Sequence, residues 1–280
     1  MAGTTHDTVE HTAADGPTAD GTTADDTAVR DIGYGTQFSS WYDRVFPKDA
    51  NAAAVATALA SLHPAPGSGT LELGVGTGRI AVPLSRRSGP VRGVDSSPEM
   101  LALLAAEPGA ELVTGVLGDV RTYTDERRYG LVYAVCGILS MLLTPEDQQA
   151  MVHRAAALLA PGGRLVIETG NRPAVEAMHE GRSRTTLFTP YPEPGTGLQT
   201  HSTLPPGSEL WQCSHVWYES DGTTRVGTEL SRLTTPDETD AYARAAGLVP
   251  EGRYADWDLS PYSERYPLFL TTYVLPEKEQ

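Results

Sequence analysis

Glu72, Gly74, Gly76 and Gly78 alternate along the run Leu71-Glu72-Leu73-Gly74-Val75-Gly76-Thr77-Gly78-Arg79-Ile80. An apolar strand breaks there into three glycines and restarts as a helix. Glycine tolerates positive φ and lets a ligand approach the backbone, and the new helix aims free N–H groups at whatever sits above the strand. Such a turn offers a pocket for a nucleotide-sized molecule. The dinucleotide pattern G-x-G-x-x-G is not met, because Arg79 stands where the third glycine would be. A phosphate P-loop is excluded too, since no Gly-Lys-Ser/Thr comes after it.

The elements around this turn place further chemistry beside it. After a helix-compatible stretch, Ile80 to Arg87, the strand Val91 to Val94 ends in Asp95, followed by Ser96, Ser97 and Pro98. A carboxylate at a strand tip can accept hydrogen bonds from both hydroxyls of a ribose. A third strand is expected over Glu111 to Thr114, with Gly118-Asp119-Val120 after it. Tyr129 to Cys136 is the near-continuous apolar run of a parallel strand buried on both faces. Pro161-Gly162-Gly163 stops a helix, and Arg164-Leu165-Val166-Ile167-Glu168 continues as a fifth strand. Alternating strands and helices predict a parallel sheet whose ligand lies outside the carboxyl ends of its strands, where Gly74 to Gly78, Asp95, Asp119 and Cys136 all fall.

Taken in order, Glu72-x-Gly74-x-Gly76-x-Gly78, Asp95, Gly118-Asp119-Val120 and Leu158 to Glu168 resemble the motifs of class I S-adenosylmethionine-dependent methyltransferases. The motifs are specific over Leu71 to Thr169, and the organisation extends over about Thr36 to Leu275. The resemblance implies an α/β fold: a Rossmann-like seven-stranded methyltransferase sheet with an antiparallel β insertion after the fifth strand. It implies S-adenosyl-L-methionine as cofactor, Asp95 on the ribose and Asp119 on the adenine amino group. It also implies an N-terminal lid whose Tyr-Asp pair, here Tyr42-Asp43, folds over the cofactor with the tyrosine near the methionine carboxylate. The expected cofactor contacts are Tyr34, Tyr42, Glu72, Gly74, Gly76, Gly78, Asp95, Ser96, Met100, Asp119, Val120 and Cys136. The chain then divides into an extension (1–31), a helical lid (32–62), the cofactor-binding core (63–170), an antiparallel insertion capping the substrate (171–235) and the remainder of the core sheet (236–280).

About sixty residues separate the fifth strand from the next helix, Pro236 to Gly247. Trp211 to Ser220 and Thr223 to Leu233 alternate about Asp221-Gly222, a strong hairpin signal. Leu248 to Trp257 and Leu268 to Leu275 read as the closing antiparallel hairpin. The core motifs are taken up by the cofactor, so the insertion and the closing segment are expected to choose the substrate, through Trp211, His215, Tyr218, Arg232, Arg253 and Trp257. Alternation puts Trp211, Cys213, His215 and Trp217 on one face of the hairpin and Gln212, Ser214, Val216 and Tyr218 on the other.

Methyl transfer is an in-line displacement at a sulfonium, so the enzyme mainly holds an electron-rich atom at about 3 Å. Glu168, at the tip of the fifth strand, is either the base that takes the acceptor's proton or a hydrogen-bonded carboxylate orienting the insertion. The Arg164–Glu168 segment followed by an aromatic insertion is similar to actinobacterial natural-product methyltransferases, including some that methylate prenyl diphosphate carbons. The expected activity is methylation of a small molecule of specialised metabolism. One alternative is C-methylation of a prenyl diphosphate such as geranyl diphosphate, with Glu168 as base, Mg2+ and arginines such as Arg232 or Arg253 on the diphosphate. Another is a non-methylating enzyme, for example a cyclase, using the same cofactor.

A net charge of −15 over 280 residues argues against a nucleic-acid partner, whose phosphates need a basic face. Residues 1–31 carry seven acids against Arg30 and almost no large apolar side chains, so burial cannot offset their ordering entropy, and a disordered extension is expected. It has neither the basic nor the apolar region of a signal peptide. No stretch approaches the ~18 apolar residues of a membrane span, and a cytoplasmic protein is expected. Cys136 and Cys213 have no metal-ligand spacing in sequence and exclude a disulfide framework. Lys48 and Lys278 are the only lysines among 21 Lys and Arg, a bias of high-GC coding.

Overall fold

A computed structural model describes residues 33–277, so the expected extension over 1–31 lies outside the described residues. Three helices come first: α1 (Tyr34–Phe38), α2 (Tyr42–Val45) and α3 (Ala50–Leu62), the last capped by the Asp49 carboxylate, which accepts from the Asn51 and Ala52 N–H groups. The core then alternates β1 (Thr70–Leu73), α4 (Ala81–Ser88), β2 (Val91–Asp95), α5 (Pro98–Ala106), β3 (Val113–Leu117), β4 (Tyr129–Ala134), α6 (Ile138–Met141), α7 (Pro145–Leu158) and β5 (Leu159–Gly170). Then come α8 (Arg172–His179), four strands β6 (Arg184–Pro190), β7 (Gly197–Thr203), β8 (Leu210–Tyr218) and β9 (Thr224–Arg232), and finally α9 (Pro236–Ala245), β10 (Val249–Tyr254) and β11 (Leu268–Val274).

The seven-stranded sheet runs β3-β2-β1-β4-β5-β11-β10, with β11 antiparallel to both of its neighbours and the rest parallel. All six residues of β4 are buried, as a central strand covered on both faces requires. Its alternate side chains feed two cores. Leu131 and Tyr133 join Leu59, Ile80 and Leu84 of the α3/α4 layer, while Val132 and Ala134 join Met151, Val152 and Tyr242 of the α7/α9 layer. Chain order reverses between β1 and β4, so the two crossovers diverge there and leave the crevice in which doubly wound sheets bind ligands.

Two expectations shift. The third strand lies at Val113–Leu117 instead of Glu111 to Thr114, because its pairing with β2 sets Val91 opposite Val113 and Asp95 opposite Leu117. That register delivers Gly118 and Asp119 to the strand end, where the Gly118 N–H donates to the Asp95 carbonyl (2.9 Å). The insertion holds a four-stranded antiparallel sheet, β6-β7-β8-β9, of which only the β8–β9 hairpin shows in the sequence pattern. β6 is an exposed edge strand with no apolar alternation to read.

The insertion and the N-terminal helices are fastened together. The Gln37 side-chain oxygen accepts from the Thr228 N–H (2.9 Å), Tyr191 donates to the Val45 carbonyl (2.8 Å), and Arg44 pairs with Glu219. Gly227 permits the contact: a Cβ there would stand 2.5 Å from the Phe38 ring. Phe38, Trp41, Val45, Met100 and Trp217 form one apolar cluster joining the N-terminal helices, α5 and the insertion.

Candidate active site

A cavity of about 270 Å³ opens at the carboxyl ends of β1, β2 and β4, roofed by Tyr34, Gly35 and Tyr42. Eleven of the twelve residues expected to contact the cofactor line it: Tyr34, Tyr42, Glu72, Gly74, Gly76, Asp95, Ser96, Met100, Asp119, Val120 and Cys136. Gly78 does not. It turns into the layer beneath, with φ +77°, and a Cβ there would stand only 2.4 Å from Leu104, so its lack of a side chain lets the loop pack closely on α5.

The loop and the acid on β2 are built as one unit. Asp95 accepts from the Gly76 N–H (2.7 Å) on one oxygen and from the Ser97 N–H (2.9 Å) on the other. Ser97 caps α5 by accepting from the Met100 N–H (3.1 Å). Asp119 is gripped by Arg121, which also reaches Asp147 (2.9 Å), so this end of the cavity has a fixed polar wall. Ile138, Met141, Leu142 and Leu143 supply the apolar side of the cavity.

Lid and loop meet where Thr77 Oγ1 donates to Asp43 (2.8 Å). Buried on the cavity floor, Glu72 accepts from the Tyr133 hydroxyl (2.7 Å). Burial pushes its carboxyl up to about 8, against the opposing pull of that hydrogen bond and of the nearby Arg79 charge. Burial likewise raises Tyr34 and Tyr42 and takes the Cys136 thiol to about 12, so these three are neutral at pH 7.

Arg79 is the functional residue that sequence reasoning noted only as a departure from another motif. Its guanidinium lines the cavity, donates to Cys136 Sγ (2.7 Å) and hydrogen-bonds Tyr42. Its Nε is buried with no hydrogen-bond partner among the described residues. A half-buried guanidinium beside a helix start carries the positive charge that an anion in the cavity would meet.

Glu168 stands off the cavity wall. One oxygen accepts from the Cys136 N–H (2.6 Å) and the other from Trp257 Nε1 (2.7 Å), and burial raises its pKa. Cys136 has φ +57°, a left-handed conformation that costs a non-glycine residue energy, and the carboxylate holds that turn in place.

None of the six residues expected to contact substrate lines the cavity. Trp211 packs on Val175, Leu204 and Leu233 and donates to Ser202 (2.6 Å). His215 lies on the inner face of β8 against Phe38, and Tyr218, on the outer face, donates to Gln199 (2.7 Å). Arg232 is buried between Glu209 and Glu238, and Arg253 pairs with Asp240 (2.8 Å). Trp257 serves Glu168 instead. Long charged side chains read as ligands in a sequence are consumed here by acids from distant segments.

The reversal of chain order at β1/β4, the glycine loop over it and the acid on β2 define the class: an open α/β enzyme fold that binds a nucleoside-bearing cofactor. Residues 70–163 match the methyltransferase domain family. Across 87% of this chain and 98% of its counterpart, the structure is similar to the CcbJ methyltransferase from Streptomyces caelestis, with 29% identity and a TM-score of 0.75. It shares its fold with an amino pentose methyltransferase from Micromonospora echinaspora, solved with S-adenosylmethionine bound: 23% identity, TM-score 0.62, 84% of this chain and 94% of that one. Among curated proteins, a carboxy-S-adenosyl-L-methionine synthase from Chromohalobacter salexigens is 33% identical over 117 residues, 39% of this chain and 42% of that protein. The chain spans about half the length, or less, of the curated relatives it matches. Residues 70–163 thus resemble a methyltransferase domain, and the chain as a whole shares the fold of S-adenosylmethionine-dependent methyltransferases. No helix among the described residues is long and apolar enough to cross a membrane.

Proposed function

We propose that the protein transfers a methyl group from S-adenosyl-L-methionine to the amine nitrogen of a small, polar natural-product acceptor. The observation that carries this reading is the cavity itself, where the glycine loop, Asp95 and Asp119 converge beneath the lid tyrosines. In this reading Asp95 takes the ribose, Asp119 the adenine amino group, and Arg79 the methionine carboxylate. A cation leaves as a neutral thioether, so the enzyme's task is positioning and exclusion of water, which a lid fastened to the insertion supplies.

An amine suits the walls. The tyrosines and the thiol on the cavity wall are weak bases, held neutral by burial, and a free amine arrives nucleophilic without one. The fold neighbours from Micromonospora echinaspora and Streptoalloteichus, described as an amino pentose methyltransferase and a sugar N-methyltransferase, fit that chemistry. A prenyl diphosphate does not fit, because Arg232 and Arg253 are committed to ion pairs away from the cavity. Nor does anything support magnesium: the one metal-competent cluster among the described residues contains sulfur and nitrogen, whereas Mg2+ takes oxygen. We assign Glu168 to positioning of the Cys136 turn.

A second reading, a cofactor-modifying enzyme that transfers no methyl, is favoured by the likeness to the carboxy-S-adenosyl-L-methionine synthase. S-adenosylhomocysteine release, assayed with S-adenosylmethionine against matched panels of amino sugars, phenols and prenyl diphosphates, separates the two. Turnover confined to amines is expected. Turnover only of phenols or diphosphates refutes the amine assignment, and cofactor binding with no S-adenosylhomocysteine from any acceptor favours the second reading.

A further inference from the structure

The inner face of the β8–β9 hairpin gathers three different metal-ligating groups. Cys213 and His215 stand two apart on β8, hence on one face, and Glu229 is the direct cross-strand partner of Cys213. The thiol, one imidazole nitrogen and one carboxylate oxygen all lie within 4.8 Å of one another. We propose that Cys213, His215 and Glu229 form a binding site for a zinc-class transition-metal ion.

The separations are close to what the ion needs. His215 Nε2 and Glu229 Oε1 are 3.5 Å apart. Two tetrahedral ligands at about 2.1 Å from zinc are separated by roughly 3.4 Å, so this pair is already spaced for coordination and the remaining distances close by about 1 Å. The donors are also oriented. His215 Nδ1 is hydrogen-bonded to Thr200 Oγ1 (2.9 Å), which leaves Nε2 facing Glu229, and the ring is braced edge-on against Phe38. Outer partners of this kind fix the ring and tautomer of metal-bound histidines. Cys213 is buried beside Ser202, and Ser202 is anchored in turn by Trp211 (2.6 Å) and His179 (2.8 Å).

Charge selects the ion. One thiolate and one carboxylate balance a divalent cation, the least costly arrangement for a charge withdrawn from water. A donor set of sulfur, nitrogen and oxygen selects zinc or cobalt over magnesium or calcium, which take oxygen alone. Loading converts Cys–SH to Cys–S⁻ and releases its proton to solvent. Three protein ligands leave a fourth position for water or for a nitrogen or oxygen of an acceptor. Phe38, which touches His215, stacks on Tyr34 of the cavity roof (4.3 Å), so two aromatic rings would separate the ion from the cavity. The site stands or falls separately from methyl transfer.

Untagged full-length protein, stripped with chelator, is titrated with Co2+ and followed by absorbance. One equivalent with a thiolate-to-cobalt charge-transfer band and tetrahedral visible bands is expected, displaced by Zn2+. Cys213→Ser abolishes the charge-transfer band while Cys136→Ser keeps it, and His215→Ala and Glu229→Gln each weaken binding about 10- to 100-fold. Circular dichroism and thermal unfolding, measured on every variant, report that the fold is intact. If no band appears in folded wild-type protein, or if Cys213→Ser retains it, the assignment is overturned and the three side chains form a hydrogen-bonded cluster only.

Discussion

Replacing Glu72 with glutamine should remove one proton from the binding of S-adenosylmethionine. In the cofactor-free protein the Glu72 carboxyl is held at about 8, first by burial and then by the neighbouring Asp95 charge. The cofactor brings an α-ammonium and a sulfonium, and a cation beside a buried carboxyl restores its ionised form. At pH 7 roughly a tenth of the free protein has Glu72 ionised, so binding expels about 0.9 proton, and affinity rises about tenfold, or about 1.4 kcal/mol, between pH 7 and 9. The cofactor's own α-amino group titrates near ~8, so the informative quantity is the difference between wild type and Glu72→Gln, in which that ligand contribution cancels. Calorimetry in buffers of different ionisation heat reads the proton count directly. Equal proton release by wild type and Glu72→Gln would refute the reasoning. The same linkage acts on the empty protein. Its folded-state value lies above the ordinary 4.5, so folding favours the protonated form; that contribution is complete below 4.5 and is lost as pH rises toward about 8. Cofactor-free wild type therefore loses stability across that window relative to Glu72→Gln, which thermal unfolding at several pH values checks.

Two further outcomes test the remaining assignments. Arg79→Met should weaken S-adenosylmethionine binding by about ten- to a hundredfold, the worth of one charged hydrogen-bonded contact, yet leave 5′-methylthioadenosine, which lacks the carboxylate, nearly unaffected; equal losses for both ligands would show that Arg79 only shapes the cavity. Glu168→Gln keeps one acceptor for the Cys136 turn, so turnover is expected to fall only a few-fold with an unchanged pH–rate profile, and disappearance of a titrating limb would restore the base assignment.

Legibility in the sequence divides along physical lines. Elements defined by local pattern were readable: the apolar run of β4, the glycine loop after β1, the Asp221-Gly222 hairpin and the helix that begins at Pro236 all depend on residues close in the chain. The cavity-lining residues were readable for a related reason. A parallel sheet delivers each strand's carboxyl end to one edge, so position along the motif already decides position in the cavity. β6 and β7 escaped because strands with polar faces carry no periodic signal, and β3 was displaced by two to three residues because its register is set by β2 and not by its own side chains.

The sequence by itself determined the sheet, the cofactor loop, the acids on β2 and after β3, and with them the class of chemistry. Only the tertiary structure decided the rest of the site. It turned Gly78 away from the cavity, spent Arg232 and Arg253 on ion pairs, gave Glu168 to the Cys136 turn and Trp257, and brought Cys213 and His215 beside Glu229. The physical reason is that periodicity and turn chemistry are local, whereas a charged or polar side chain takes its role from whichever partner folding brings within about 3 Å, and that partner is seldom its neighbour in the chain.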